Sequence, residues 1–209
     1  MMLLTRKISE KISLQELEIQ FGLVPAKEPN FFREWQENLP ELNNFERQAL
    51  DRIKHNYNTL STGSQLSENL VKMTVLSPLL DLAGFYSSNF LVKDEVGVKI
   101  SAVDAGTVYR GRIDILVFQN QFWVLVIESK SSSFALNKAI PQALTYMINS
   151  PNSPKSTYGF VLNGSNFRFI KLLAANLPQY ALSDELLIDR GNDFPQVLCI
   201  LKRIATLMV

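Results

Sequence analysis

Two apolar segments joined by a short polar turn constrain the fold more than any other part of this chain. Residues 112–118 and 122–130 are rich in β-branched and aromatic side chains. Such runs predict an antiparallel hairpin of buried strands. The hairpin carries charges, because Asp114 lies in its first strand and Glu128 and Lys130 end its second. Burying an unpaired charge costs several kcal/mol, so these three side chains need partners.

Strand geometry predicts how these charges meet. Glu128 and Lys130 point to one face of their strand and Ser129 to the other. Symmetric pairing about the turn sets Asp114 opposite Val126, which makes Glu128 its diagonal neighbour on the same face. Two carboxylates on a rigid sheet can hold a hard divalent cation such as Mg²⁺. The alternative is a buried salt-bridge network.

Composition limits the class of protein. A chain of 209 residues with 46% hydrophobic content is long enough for one α/β domain and an appendage. The net charge of +1 gives no global basic field, so contacts to nucleic acid must be local. The basic residues that could touch phosphates from loops and strand ends are Lys93, Lys99, Arg110, Arg112, Lys138, Lys155, Arg168 and Lys171.

Residue types also exclude several chemistries. The single cysteine, Cys199, cannot form an internal disulfide or a zinc cluster, which predicts a reducing, cytoplasmic setting. The single histidine, His55, excludes Ser-His-Asp hydrolysis and His-rich metal sites. No apolar run reaches the ~18 residues of a membrane span, so we expect no membrane association.

The first part of the chain differs from the rest. Residues 1–60 are charged, helical in pattern and interrupted by prolines. We predict that they form a helical extension, which could mediate homodimerisation, before a domain spanning residues 61–209. Ser13 followed by Glu16 predicts a capping box, and Gly22 predicts the end of that helix.

Two further predictions concern this extension. Its second helix is expected over residues 44–58, with Glu46 and the other charges on a solvated face. Three aromatic residues before that helix are expected to anchor the extension onto the core or a second subunit, rather than to stack on bases. They are Phe31, Phe32 and Trp35.

The pattern of the remaining chain predicts alternating helices and strands. A helix over residues 66–82 carries apolar side chains at helical spacing, which predicts core positions for Leu66, Leu70, Met73, Leu76, Leu79 and Leu80. A meander of strands leads into the central hairpin. Then follow a helix over 135–148 that Pro141 kinks or restarts, a hairpin turning at 163–166, and a C-terminal helix over 195–208.

The order of polar residues along these elements resembles a known family. Across residues 64–172 an acidic helix with Glu68 precedes Asp114, the E-x-K run Glu128-Ser129-Lys130, and the Q-x-x-x-Y pair Gln142 and Tyr146. This order resembles the PD-(D/E)XK nuclease superfamily, and in particular the N-terminal nuclease domain of type I restriction R subunits. Ile113 stands where the motif has its proline.

The resemblance implies a restriction-endonuclease-like α/β fold, with a central mixed β-sheet flanked by helices. It implies a DNA endonuclease in restriction or defence that depends on Mg²⁺ or Mn²⁺. Asp114 and Glu128 would hold the metal, with the backbone carbonyl of Ser129 as a further ligand. Lys130 would act at the attacking water or the scissile phosphate.

Three other residues receive supporting roles from the resemblance. Glu68 would complete the acidic cluster, directly or through a metal-bound water. Gln142 and Tyr146 lie four residues apart on one helical face and would form hydrogen bonds near the active site or the DNA backbone.

Partners and alternatives follow from what the chain lacks. A restriction R subunit joins a nuclease to an ATP-driven motor, and no G-x-x-x-x-G-K-[ST] motif occurs here. We therefore expect the protein to act alone on DNA or with a motor or specificity subunit supplied in trans. One alternative is a catalytically silent module that binds DNA or a restriction-system partner. Another is a scaffold whose acids are salt-bridged.

Overall fold

A single mixed sheet with helices on both faces forms the centre of the molecule. The computed structural model describes residues 5–8, 12–101, 107–153 and 155–207, and within these ranges the sheet has nine strands. The strands are β1 Thr5–Ile8, β2 Val24–Pro25, β3 Leu91–Ser101, β4 Thr107–Gln119, β5 Phe122–Ser129, β6 Ser156–Leu162, β7 Asn166–Leu173, β8 Gln179–Leu182 and β9 Leu186–Leu187. The predicted α/β class, with a central mixed sheet flanked by helices, is confirmed.

The helices complete the two outer layers. They are α1 Leu14–Phe21, α2 Asn44–Ser61, α3 Glu68–Val71, α4 Ser77–Leu82, α5 Ile140–Ile148 and α6 Asp193–Thr206. A π-helical turn, Lys72–Leu76, joins α3 to α4, and a 3₁₀ turn, Leu136–Lys138, precedes α5. No helix in the described ranges has both the length and the apolarity needed to cross a bilayer.

Strand order explains how distant segments meet. The path through the sheet is β1-β4-β5-β6-β7-β8-β2, with β3 also pairing with β4 and β9 with β7. Strands β4 and β5 form the predicted antiparallel hairpin, and β5 runs parallel to β6 after the crossover through α5. Parallel neighbours need such a crossover connection, so α5 lies directly over the strand that carries the E-x-K run.

Apolar side chains fill both sides of the sheet. On one side α2, α4 and α6 pack against it, and Phe167 stacks on Phe160 and Phe194 with ring centroids 6.2 and 5.5 Å apart. On the other side α1 and α5 cover the sheet, with Leu17 and Leu144 fully buried. Because both faces are covered, strand β5 is apolar almost throughout, which is typical of a central strand.

The N-terminal segment contains the predicted helix, α1, after strand β1. Ser13 accepts from the Glu16 N–H and the Glu16 carboxylate accepts from the Ser13 N–H, so the capping box is confirmed. Gly22 ends the helix in the left-handed conformation, as predicted. Residues 1–60 also contribute strands β1 and β2 to the sheet and side chains to both cores.

The aromatic residues of this segment anchor it, as predicted. Phe32 is buried in the core, and Phe31 and Trp35 pack against the same cluster. The prediction that Glu46 lies on a solvated face is wrong. Its carboxylate caps α2 and forms an ion pair with Lys202 of α6, which keeps it buried between the two helices.

The apolar residues at helical spacing over 66–82 were predicted to lie in the core, and only some of them do. Leu66, Leu76, Leu79 and Leu80 are buried, but Leu70 is 39% and Met73 70% exposed. The π-helical turn explains the difference. It adds about one residue to the turn, so apolar side chains on either side of it no longer follow the spacing of a regular α-helix. Pro78 lies in the first turn of α4, which continues directly from the π-helical turn.

The predicted pairing of Asp114 with Val126 is wrong. Val126 lies opposite Leu116, and a bulge near the hairpin turn, where β5 has the extra residue Val124, accounts for part of the shift. Continuing the register from Ile115 opposite Ile127 sets Asp114 directly beside Glu128. A shift of two residues preserves the face, so the two acids still share one side of the sheet.

The later elements agree with the sequence. Pro141 lies in the first turn of α5 after the 3₁₀ turn, so it restarts the helix rather than kinking it. Strands β6 and β7 form the predicted hairpin, with Gly164 in the left-handed conformation at its turn. Helix α6 closes the domain near its predicted bounds.

Candidate active site

An open cleft lies where β4, β5, α3 and α5 come together. Its volume is about 470 Å³. The residues that line it are almost all polar or charged: Glu68, Arg110, Gly111, Arg112, Asp114, Lys130 and Gln142. The cleft therefore gathers four of the predicted site residues, Glu68, Asp114, Lys130 and Gln142, from four separate parts of the chain.

Asp114 lines this cleft, and Glu128 lies behind the cleft wall on the neighbouring strand. The Asp114 side chain is 16% exposed, whereas Glu128 is fully buried. The Ser129 N–H donates to Asp114 Oδ2 at 2.8 Å, and Lys130 Nζ lies 3.2 Å from Glu128 Oε2. Glu128 Oε1 has no hydrogen-bond partner among the residues that the structure describes. One oxygen of the buried carboxylate therefore remains available to a ligand.

Electrostatics in the cleft favour a bound cation. Burial and then the neighbouring Asp114 carboxylate raise the pKa of Glu128 to about 8, although the Lys130 ammonium opposes them. Burial also raises the pKa of Asp114, with Lys130 again opposing it. Two carboxylates that resist ionising together are stabilised by a positive charge between them.

Strand β6 fixes the E-x-K run in place. The Lys130 N–H donates to the Leu162 carbonyl at 2.9 Å, which continues the parallel pairing of β5 with β6. The Ser129 side chain points away from the two acids into the opposite core, as strand alternation predicts. Its backbone N–H, by contrast, orients Asp114.

Glu68 lines the cleft, and Lys72, which the sequence did not single out, links it to Asp114. Lys72 Nζ lies 2.8 Å from Glu68 Oε1 and 3.2 Å from Asp114 Oδ1, so an ammonium separates the two acids. Burial disfavours the charged lysine, but the hydrogen bond to Glu68 and the charge of Asp114 together raise the pKa of Lys72. The i,i+4 spacing of Glu68 and Lys72 was the available sequence signal.

Gln142 and Tyr146 share one face of α5, as predicted. Gln142 Nε2 donates to Tyr146 Oη at 3.1 Å, and both side chains are buried. Gln142 also lines the cleft, while Tyr146 lies behind it. Tyr146 therefore supports Gln142 from within the core.

Two of the eight basic residues proposed for phosphate contact line the cleft. Arg110 is exposed and pairs across the strands with the exposed Lys99. Arg112 forms an exposed ion pair with Glu95 at 2.9 Å. Like charges directly opposite on a sheet repel, so Lys99 and Arg110 favour an anion above them.

The donor atoms fit a hard divalent cation. Within the described ranges no group of three or more His, Cys, Asp or Glu side chains is arranged around a common point. The available ligands are thus the oxygens of Asp114 and Glu128. Mg²⁺ commonly binds through one or two carboxylates and completes its shell with waters and substrate phosphates, which matches this set.

Comparison with known proteins places these residues in a family. The family described as type I restriction enzyme R protein N terminus matches residues 7–176. The chain belongs to this family. Every site residue described above lies inside the matched range, and the α/β architecture with a central mixed sheet flanked by helices is consistent with the predicted restriction-endonuclease-like fold.

One solved structure is similar to this member of the R-protein N-terminal family. It is a fragment assigned to an HsdR subunit of a type I restriction enzyme from Vibrio vulnificus, with 17% sequence identity and a TM-score of 0.39. The match covers 66% of this chain and 26% of the other. No curated protein matches the chain.

Proposed function

We propose that this protein is a metal-dependent DNA endonuclease of a restriction or defence system. The observation that carries the proposal is that Asp114 and Lys130 line one open cleft, with Lys130 paired to the buried Glu128 and the Ser129 N–H bonded to Asp114. Membership of the R-protein N-terminal family supports the restriction setting.

The roles of the site residues follow from their positions. Asp114, Glu128 and the Ser129 carbonyl would hold Mg²⁺ or Mn²⁺. When bound, the ion would make a water more acidic and offset negative charge on a phosphate. Lys130, against Glu128 at the cleft, would orient the attacking water or stabilise charge that develops on the phosphate oxygens. Gln142 would hold a cleft-side polar atom of the substrate, with Tyr146 fixing its amide.

DNA is the substrate that the charge distribution favours. The net charge of the chain is only +1, yet Arg110 and Arg112 both lie at the cleft. Alternate residues of one strand lie about 6.6 Å apart, so the two guanidinium groups could follow successive phosphates. Charge-assisted contacts of this kind orient nucleic acid without reading its sequence.

Partners remain part of the proposal. A motor or specificity subunit in trans would bring DNA to the cleft, as the R-subunit family suggests. Homodimerisation through the N-terminal segment is supported by two exposed apolar side chains, Ile19 at 75% and Phe45 at 68%.

One observation favours the second candidate, a silent module that binds DNA or a restriction-system partner. The Lys72 ammonium already neutralises Glu68 and Asp114 without a metal. Such a network would satisfy the acids even if no catalysis took place.

A plasmid-nicking assay separates the two functions. Wild-type protein is expected to nick supercoiled DNA with Mg²⁺ or Mn²⁺ and to be inactive in EDTA. Lys130→Met should lower the rate at least ~100-fold, because it removes a preorganised charge at the reacting phosphate. Lys54→Met is the matched control, since Lys54 pairs with Asp189 on the surface. DNA binding with no nicking by wild type under any metal would favour the silent module instead.

A further inference from the structure

We infer that Lys72 is a tethered cation that holds Asp114 and Glu68 in the metal-free protein and leaves Asp114 when a divalent metal binds. In this account Lys72 is a positioning residue that competes with the metal, and it sets the affinity of the site. The inference rests on the proposed metal site at Asp114 and Glu128.

Both carboxylate oxygens of Asp114 already have a donor from the protein beside them. Oδ2 accepts from the Ser129 N–H at 2.8 Å and Oδ1 lies 3.2 Å from Lys72 Nζ. A metal ion that binds Asp114 would lie close to the Lys72 ammonium at Oδ1, and the two positive charges would repel each other. The Ser129 N–H belongs to the backbone of a central strand and cannot move, whereas the lysine has a flexible four-carbon stem. Lys72 is the donor that can leave.

Glu68 provides a second ion-pair partner for the Lys72 ammonium. Nζ lies closer to Glu68 Oε1, at 2.8 Å, than to Asp114. The Glu68 side chain is 38% exposed against 16% for Asp114, so it lies nearer to solvent. A small rotation would leave the ammonium paired with Glu68 while it releases Asp114.

An irregular turn of the helix also places Lys72 beside Asp114. Lys72 is the first residue of the π-helical turn Lys72–Leu76. Single π-helical turns are rare and occur often at functional sites. The turn buries Val75 and Leu76 against the core while it presents Lys72 to the cleft and Met73 to solvent. The local irregularity therefore serves to position this lysine beside Asp114.

Metal affinity provides the test. Mn²⁺ binding to metal-free protein is measured by isothermal titration calorimetry for wild type, Lys72→Met and the control Lys54→Met. Methionine keeps the length of the stem but removes the ammonium and its repulsion of the ion. We expect Lys72→Met to bind Mn²⁺ ~10-fold more tightly than wild type, and the control to bind as wild type does.

The outcomes distinguish this inference from the proposed function. Wild-type binding with equal or weaker binding by Lys72→Met would overturn the role of Lys72 and leave the metal site intact. No Mn²⁺ binding by any of the three proteins would overturn the metal site and the inference together.

A second measurement needs no variant that has to fold. In wild-type protein labelled with ¹⁵N-lysine and ¹³C-aspartate, a Lys72 ammonium held in two ion pairs is expected to give a protected NMR signal at low temperature. Addition of Mg²⁺ should shift or remove that signal at the same concentration at which the Asp114 resonance responds. An Asp114 response with an unchanged Lys72 signal would contradict the exchange.

Discussion

Replacing Glu128 with glutamine should stabilise the metal-free protein, and the gain should increase with pH. Glu128 is fully buried beside Asp114, and the two effects raise its pKa to about 8 from an ordinary 4.5. A carboxyl whose pKa is raised on folding contributes most stability while it is protonated. Its contribution is full below pH 4.5 and is lost as the pH rises through about 8.

The magnitude follows from the two pKa values. A difference of one pKa unit between the folded and unfolded states corresponds to about 1.4 kcal/mol in the free energy of unfolding. Between pH 5 and pH 9 the wild-type protein should therefore lose about 4 kcal/mol of its free energy of unfolding through this group. Glu128→Gln has no such proton to lose, so the gap between the two proteins should widen by about that amount.

Urea denaturation in EDTA at several pH values measures the difference in free energy of unfolding between wild type and Glu128→Gln. Glu37→Gln is the control, because the Glu37 side chain is 51% exposed in a surface ion pair and its removal should leave a constant difference from wild type. Saturating Mn²⁺ should reverse the order at high pH, since the metal needs the ionised carboxylate. Parallel curves for wild type and Glu128→Gln from pH 5 to 9 would refute the reasoning.

Three other predictions test the packing and the charged surface. Gly159→Ala should lower the free energy of unfolding by about 1–3 kcal/mol, because the added Cβ would lie 2.7 Å from Met147 Sδ; thermal denaturation measures it. Lys202→Met should destabilise the chain by about 1–3 kcal/mol in urea at neutral pH, because it leaves the buried Glu46 carboxylate unpaired. Arg110→Gln should weaken DNA binding and reduce the magnitude of its log–log salt slope by about one, as titrations across salt concentrations would show. Unchanged values in any of the three would contradict the contact concerned.

Features that depend on near neighbours in the chain could be predicted from the sequence. The capping box at Ser13 and Glu16 and the stop at Gly22 each involve residues within a few positions of one another. For Pro141 the sequence left a kink and a restart open, and the structure shows the restart. Alternation along a strand likewise placed Glu128 and Asp114 on one face, even though the pairing partner was wrong.

Features that depend on residues far apart in the chain could not be predicted from the sequence. Glu46 is buried because Lys202, 156 positions further along, lies against it. The bulge in β5 shifts the register by one residue, an amount that the turn sequence does not encode. Lys72 resembles an ordinary helical ion-pair partner of Glu68 until the sheet brings Asp114 beside it.

The central claim is that Asp114 and Glu128 hold a divalent metal, and anomalous diffraction from a crystal soaked in Mn²⁺ tests it most directly. The account predicts one anomalous peak within about 2.5 Å of an oxygen of each carboxylate. Well-ordered side chains of both residues with no peak between them, at a Mn²⁺ concentration that labels other sites, would contradict it.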